Sequence, residues 1–233
     1  MGNRYNDGSY LKQNTTWHQD DSPYKAGLVT KMLQRRKLEF HSCADVGCGA
    51  GLVTCILAEA FRDKKFQGFD PSKDAAQFWR RNAAKNLTFY PGNFLETQET
   101  FDLVLCLDVF EHVDDYIGFL RQVRQRGSKF IFNVPLDMSV AKLLTGGLRF
   151  VREEVGHLHY FNAYSALETL KYAGDEIEDC FLSAAFKHTA PRNFRQVLML
   201  APRVLTSVLG DRLSALLTGG YSLVVLATRN PNS

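Results

Sequence analysis

The sequence predicts an α/β fold: a mostly parallel, Rossmann-like sheet with helices on both faces. Three observations predict it. The stretch Ala44-Asp45-Val46-Gly47-Cys48-Gly49-Ala50-Gly51 is an apolar strand running into three alternating glycines, and a helical run from Leu52 to Phe61 comes next. The second apolar run closes on a carboxylate, Asp70. Strand, glycine turn, helix and a second strand ending in an acid describe the first half of a nucleotide-binding sheet. Finally, the apolar runs are near-continuous rather than alternating, as expected of strands covered on both faces.

The glycine spacing narrows the ligand. Dinucleotide folds use Gly-x-Gly-x-x-Gly, whereas here the third glycine comes one residue early and Leu52 stands in its place. That argues against a pyrophosphate clamp, and with it against a nicotinamide oxidoreductase. It suits a loop whose backbone approaches a small cofactor without phosphates, because glycine has no Cβ to block the approach.

The remaining elements are set by local pattern. Tyr24–Leu38 carries Leu28, Met32 and Leu33 at helical spacing, with Pro23 suited to a helix start. The sheet is expected to run through Ser42–Cys48, Lys65–Asp70, Leu87–Gly92, Phe101–Asp108 and Lys129–Leu136. Helices over Gly51–Phe61, Lys73–Ala84 and Asp114–Arg126 fill the gaps. Met138–Val155 reads as an insertion with Gly146-Gly147 at its middle, and Ala163–Ala173 as a helix ended by Gly174. Glu176–Ala184 and Ser222–Arg229 are the last strands. They lie too far apart for a hairpin loop, so residues 186–218 must form an excursion, read as two short amphipathic helices split at Pro202 and Gly210.

At 233 residues the chain suits one well-buried domain, so residues 1–233 are read as a single unit. A net charge of +3, with the basic residues scattered, speaks against a nucleic-acid partner. The five cysteines are odd in number and make no Cys-x-x-Cys pair, so neither zinc nor a disulfide framework is indicated. The N-terminus has no apolar signal core and no run of about 18 apolar residues occurs. No transmembrane segment is expected, and a cytoplasmic address is the default.

Four ordered motifs carry a resemblance: the glycine loop, Gly68-Phe69-Asp70-Pro71-Ser72, Gly92-Asn93-Phe94, and Phe101–Val113 with its Asp108-Val109-Phe110-Glu111-His112-Val113 ending. On these the chain resembles the class I S-adenosylmethionine (SAM)-dependent methyltransferases, of the small-molecule type that includes the quinone-biosynthesis enzymes. The resemblance covers about Tyr24–Gly174 and the final strand. It implies a seven-stranded sheet with the last strand inserted antiparallel, SAM as cofactor and a small-molecule acceptor. On this resemblance Gly47, Cys48, Gly49 and Gly51 line the methionine and ribose portion, and Asp45 orders the loop or meets the ammonium. Asp70 takes the ribose hydroxyls, a task suited to two carboxylate oxygens. Phe69 and Pro71 wall the adenine. Asn93, where the family usually has an acid, accepts from the adenine amine, and Phe94 stacks near the base; an ordinary turn asparagine is the alternative. Cys106 and Leu107 approach the cofactor through their backbone, and Asp108 faces the reaction space. The Asn/Asp-Pro-Pro-aromatic run of nucleic-acid amino-methyltransferases is missing.

Gly156-His157-Leu158-His159-Tyr160-Phe161 offers a histidine pair at metal spacing, but no other convincing ligand cluster stands in the sequence, so no metal is expected. An alcohol or phenol acceptor must lose a proton, and a histidine with an ordinary pKa of about 6.5 suits that task. His157 and His159 are therefore the candidate bases, with a hydrogen-bonded loop histidine as the alternative reading. Glu111 and His112 are expected to fix the loop. The function expected is methyl transfer to a small molecule, at oxygen in preference; the alternatives are an N-methyltransferase and a SAM-binding module without turnover. An N-terminal arm over residues 1–23, with Tyr5, Tyr10, Trp17 and His18, reads as a lid or a solvated arm. The excursion mixes apolar Phe194, Val197, Leu198, Met199, Val204, Leu205, Val208 and Leu209 with Arg192, Arg195 and Arg203. Acceptor pocket, homodimer face, peripheral membrane contact and extra core packing are all compatible with that pattern.

Overall fold

A computed structural model describes residues 16–17, 19–188 and 194–229. Seven strands form one sheet: β1 (Ser42–Val46), β2 (Lys65–Asp70), β3 (Leu87–Pro91), β4 (Phe101–Leu107), β5 (Gly127–Pro135), β6 (Asp175–Ser183) and β7 (Ser222–Arg229). Their order is β3-β2-β1-β4-β5-β7-β6. Strands β1 to β5 are mutually parallel, and β7 lies between β5 and β6, antiparallel to both. The expected seven-stranded sheet with an antiparallel last strand is present. From β1 the chain moves outward to β2 and β3, then crosses back to β4, so a crevice opens at the carboxyl ends of β1 and β4. Open α/β sheets bind ligands at such a switch point.

The helices are α1 (Ser22–Arg36), α2 (Leu52–Ala60), α3 (Lys73–Ala76), α4 (Tyr116–Val123), α5 (Val140–Leu144), α6 (Gly147–Phe150), α7 (Ala163–Ala173), α8 (Phe194–Ser207) and α9 (Asp211–Thr218). Strand β4 shows why its apolar run is continuous. Leu103 and Leu105 pack with Val29, Met32 and Leu57 of α1 and α2, while Val104 and Cys106 pack with Phe119, Leu120 and Leu170 of α4 and α7. Successive side chains point to opposite faces, and both faces are covered.

Two helix expectations change. The run Lys73–Ala84 is helical only to Ala76, because the segment from Gln77 to Asn82 turns back onto the glycine loop. Trp79 Nε1 donates to the Gly49 carbonyl at 2.9 Å and Asn82 Nδ2 to the Ala50 carbonyl at 2.6 Å. In the excursion, α8 runs through Pro202 and the break falls at Gly210, whose φ of +106° suits glycine alone. Proline removes one backbone donor from the helix without ending it here. Of the arm, Trp17 and a 3₁₀ turn over Gln19–Asp21 lead into α1; Tyr5, Tyr10, His18 and Arg192 lie outside the described residues. No helix among the described residues is long and apolar enough to cross a membrane.

Candidate functional site

Strand β1 delivers the glycine loop to the crevice. The N–H groups of Gly47 and Cys48 donate to the Phe69 carbonyl, at 2.8 and 3.1 Å, which ties the loop to β2. Gly51 precedes α2 with φ +80°, and a Cβ there would lie 2.4 Å from the Phe89 ring, so conformation and space both demand glycine. The two oxygens of Asp70 accept from the Gly49 and Ser72 amides, each at 2.8 Å. Burial raises the Asp70 pKa, and those two amides oppose it. Below the loop, Thr54 Oγ1 donates to Asp45 at 2.5 Å. Burial pushes the Asp45 carboxyl up to about 7; Thr54 opposes this, Asp70 adds to it and Lys25 works against it.

The opposite wall is polar and buried. Asp108, at the end of β4, has φ +57°. Its carboxylate pairs with Lys25 Nζ at 2.5 Å and accepts from Asn133 Nδ2 at 2.6 Å. His157 places Nδ1 2.5 Å from Asp137, and the other Asp137 oxygen pairs with Lys142. Burial works to raise the Asp137 carboxyl, but His157 and Lys142 hold it at about 2. His112 sets Nδ1 against the Gly156 carbonyl at 3.2 Å and meets the His157 ring edge-on, centroids 4.7 Å apart. Burial, and then His157, lower His112 to about 4. Glu111 is fully buried, and among the described residues no other side chain hydrogen-bonds its carboxylate.

Loop and wall enclose a cavity of about 470 Å³. Of the residues expected at the site, it is lined by Asp45, Gly47, Cys48, Gly49, Gly51, Asp70, Pro71, Leu107, Asp108 and His157, together with Trp17, Lys25 and His112. Among the described residues its carboxylates are Asp21, Asp45, Asp70 and Asp108, against a single lysine and no arginine. That balance favours a ligand carrying positive charge and disfavours a diphosphate.

Five expected residues lie elsewhere. Phe69 stacks on Tyr90, centroids 5.1 Å apart, and Phe94 is buried edge-on against it, so these rings serve the core. Asn93 caps the turn Phe94–Glu96, accepting from Leu95 N at 3.1 Å, which is the turn-asparagine alternative. The Cys106 side chain points into the core while strand alternation turns Leu107 to the cavity, an arrangement that leaves the expected backbone approach of Cys106 as it was. His159 sets Nε2 against the Val113 carbonyl at 3.0 Å and packs on Tyr116, so the histidine pair is divided between cavity and loop.

Sequence reading passes over Lys25 and Asp137. Both carry a signal. Lys25 lies four residues before Val29 and seven before Met32, so it is a charged residue on the buried face of its helix. Asp137 is an acid at the carboxyl end of an apolar strand, as Asp70 and Asp108 are.

A family model described as a methyltransferase domain matches residues 17–178. A ubiquinone biosynthesis O-methyltransferase of Methylocella silvestris is 36% identical over 101 residues, which are 41% of this chain and 39% of that protein. An (S)-coclaurine N-methyltransferase of Thalictrum flavum subsp. glaucum is 24% identical over 129 residues, 51% of this chain and 36% of that protein. The matches thus span well under half of these relatives' length. Among solved structures, a magnesium protoporphyrin IX methyltransferase from Synechocystis PCC 6803 with bound SAH superposes with a TM-score of 0.58. It is 16% identical, over 92% of this chain and 84% of that one, which speaks to the fold.

Proposed function

The chain belongs to the class I SAM-dependent methyltransferase family, and from that premise we propose that it methylates a small molecule, at oxygen in preference to nitrogen. The observation that carries this reading is the cavity at the switch point, with its glycine loop and Asp70 on one side and Asp108 and His157 on the other. The donor set fits SAM: a backbone cradle, a ribose-competent carboxylate at the end of β2, and an excess of carboxylates to meet a sulfonium and an ammonium. SAM supplies a methyl on a positively charged sulfur, with a neutral thioether as leaving group.

The chain's own residues do the rest. The glycine loop and Asp70 hold the nucleoside, since each Asp70 oxygen accepts one amide and retains further lone-pair capacity for a hydroxyl. Asp45, beneath the loop, meets the ammonium. Asp108 is locked by Lys25 and Asn133, so the reaction space has a rigid wall. Trp17, standing over Gly49, helps exclude water. His157 directs Nδ1 to Asp137, which leaves Nε2 as the ring atom available to the acceptor's side. An O–H acceptor requires such a proton-handling group, whereas a neutral amine does not; that difference supports oxygen. The named relatives include one O- and one N-methyltransferase, so both acceptor types belong in the test.

The test is calorimetric titration with SAM, SAH and NAD, then a product screen with phenols, alcohols and amines. Binding of SAM and SAH but not NAD, with methylated phenol or alcohol formed, supports the reading. Turnover of amines alone would move the assignment to nitrogen. Tight SAM binding with no product from any acceptor would favour a binding module.

A further inference from the structure

The excursion between β6 and β7 is folded inside out, and from that we propose that α5, α8 and α9 form a docking face for a lipid bilayer carrying anionic headgroups. This face is independent of methyl transfer, cofactor and acceptor.

A helix packed on a core in water normally buries its apolar stripe and turns its polar side to solvent. Between α8 and α9 the buried side is the polar one. The hydroxyls of Thr206 and Ser214 lie 2.7 Å apart, and Ser214 and Thr218 are buried. Thr206 Oγ1 donates to the Pro202 carbonyl and Thr218 Oγ1 to the Ser214 carbonyl, each at 2.9 Å. Arg203 turns inward too, its guanidinium 5.7 Å from the centre of the Phe186 ring. Gly220 makes room for it, since a Cβ there would lie 2.6 Å from Arg203 Nε.

The leucines and valines face out. Leu198, Val204 and Leu205 of α8 and Leu213 and Leu216 of α9 are exposed, and Val208, in the turn after α8, is 83% exposed. Helix α9 also packs on α5, where Leu143 is exposed and Leu144 is 82% exposed. Single exposed leucines need no explanation, but an apolar patch spread over three adjoining helices marks an interaction surface.

Hydrogen bonding and charge identify the occupant. All four hydroxyls of α8 and α9 are bonded within the pair, that of Ser207 to the Val204 carbonyl at 2.8 Å. Polar groups satisfied internally, with apolar side chains outermost, suit a helix whose surroundings offer no hydrogen bonds. No described helix is long and apolar enough to cross a membrane, so the pair would lie in the plane of the interface. Within the three helices Lys142, Arg195, Arg203 and Arg212 stand against one acid, Asp211, which Lys187 and Tyr221 hold. Arg212 is exposed beside Leu213 and forms no ion pair among the described residues. Basic residues beside an apolar face are drawn to the negative surface of anionic lipid. A second copy on a two-fold axis would instead set this basic face against itself.

The test is co-flotation of the full chain with vesicles of phosphatidylcholine alone, and of phosphatidylcholine mixed with phosphatidylglycerol. The parent should bind the mixed vesicles more tightly, and the excess should fall away at high salt. Leu205→Glu combined with Val208→Glu should weaken that binding by at least roughly tenfold, because two apolar side chains leave the interface. Arg212→Gln should weaken it about fivefold on mixed vesicles and change nothing on phosphatidylcholine alone. All three side chains are exposed, so melting temperatures within about 2 °C of the parent's show that the variants are folded. Val208→Trp should gain a blue-shifted emission component with mixed vesicles, measured against the parent, as a buried indole does. No flotation of the folded parent overturns the proposal, as does unchanged binding by the double variant. Unshifted tryptophan emission would mean adsorption by charge alone and overturns apolar docking. A dimer in sedimentation velocity that the double variant dissociates would give the face to a second copy and overturn the membrane.

Discussion

The Gly49 amide donates to Asp70 across 2.8 Å, so one carboxylate both pins the glycine loop and faces the cavity that the loop frames. Asp70→Ala removes the acceptor for two amides and the partner for the nucleoside hydroxyls. Hydrogen bonds to charged groups are worth about 1.5–3 kcal/mol each, so losing two to the cofactor should weaken SAM binding by about a hundredfold or more. The orphaned Gly49 and Ser72 amides should also lower the melting temperature by a few degrees, on the order of 1–3 kcal/mol. Calorimetry and a thermal melt check both. SAM affinity equal to the parent's would remove Asp70 from the binding site.

Gly51 and Gly92 make a paired test of the loop. At Gly51 an added Cβ combines a left-handed φ with a 2.4 Å approach to Phe89, whereas at Gly92 it meets nothing within 4 Å. The backbone strain is about 1–2 kcal/mol and forced repacking about 1–3 kcal/mol. Gly51→Ala should therefore lose roughly 2–5 kcal/mol in urea unfolding, and Gly92→Ala under about 1 kcal/mol. Equal losses would mean that the loop adapts and that its glycines are not sterically required.

The legible parts of this protein are those dictated by local chemistry. Apolar runs bounded by glycine and acid mark the strands, and Gly174 ends α7 in the left-handed conformation expected of it. Asp70 and Asp108 are legible because each closes an apolar strand at the end where ligands bind. The distribution of aromatic rings is not. Whether Phe69 and Phe94 face cofactor or core depends on Tyr90 and Phe101, residues brought together only by the sheet. The division of the histidine pair is hidden for a similar reason: Val113 and Asp137, which separate the rings, come from different strand ends.

Asp45 should make cofactor binding depend on pH. Its carboxyl lies near 7 in the free protein because it is buried, so it is mostly protonated at pH 6 and ionised at pH 8. A cationic ligand favours the ionised form. SAM affinity should thus rise with pH through about 7, by roughly tenfold between pH 6 and 8. Asp45→Asn should flatten that dependence. Calorimetric titration at three pH values decides it: a parent curve with no slope would place the ligand's charge away from Asp45.

Asp175 should carry an opposite and purely structural pH effect. It is only 5% exposed, and neither oxygen has a hydrogen-bond partner among the described residues. Burial pushes its carboxyl up to about 7, with Arg124 opposing. The unfolded chain has an ordinary aspartate near 3.9, so between those values the folded chain holds a proton that the unfolded chain has lost. Stability from this group is therefore fully present below about pH 4, declines by up to about 1.4 kcal/mol per pH unit, and is gone above about pH 7. Asp175→Asn keeps the shape without the charge. Relative to the parent it should be progressively more stable as pH rises, by at most about 4 kcal/mol at pH 8, with little difference near pH 4. Taking the difference matters, because buried Asp45 contributes a slope of the same sign to both proteins. Urea unfolding of the two at pH 5, 6.5 and 8 measures it. Stability curves that run parallel across that range would show that Asp175 is ionised in the fold at no cost, with its charge met by Arg124.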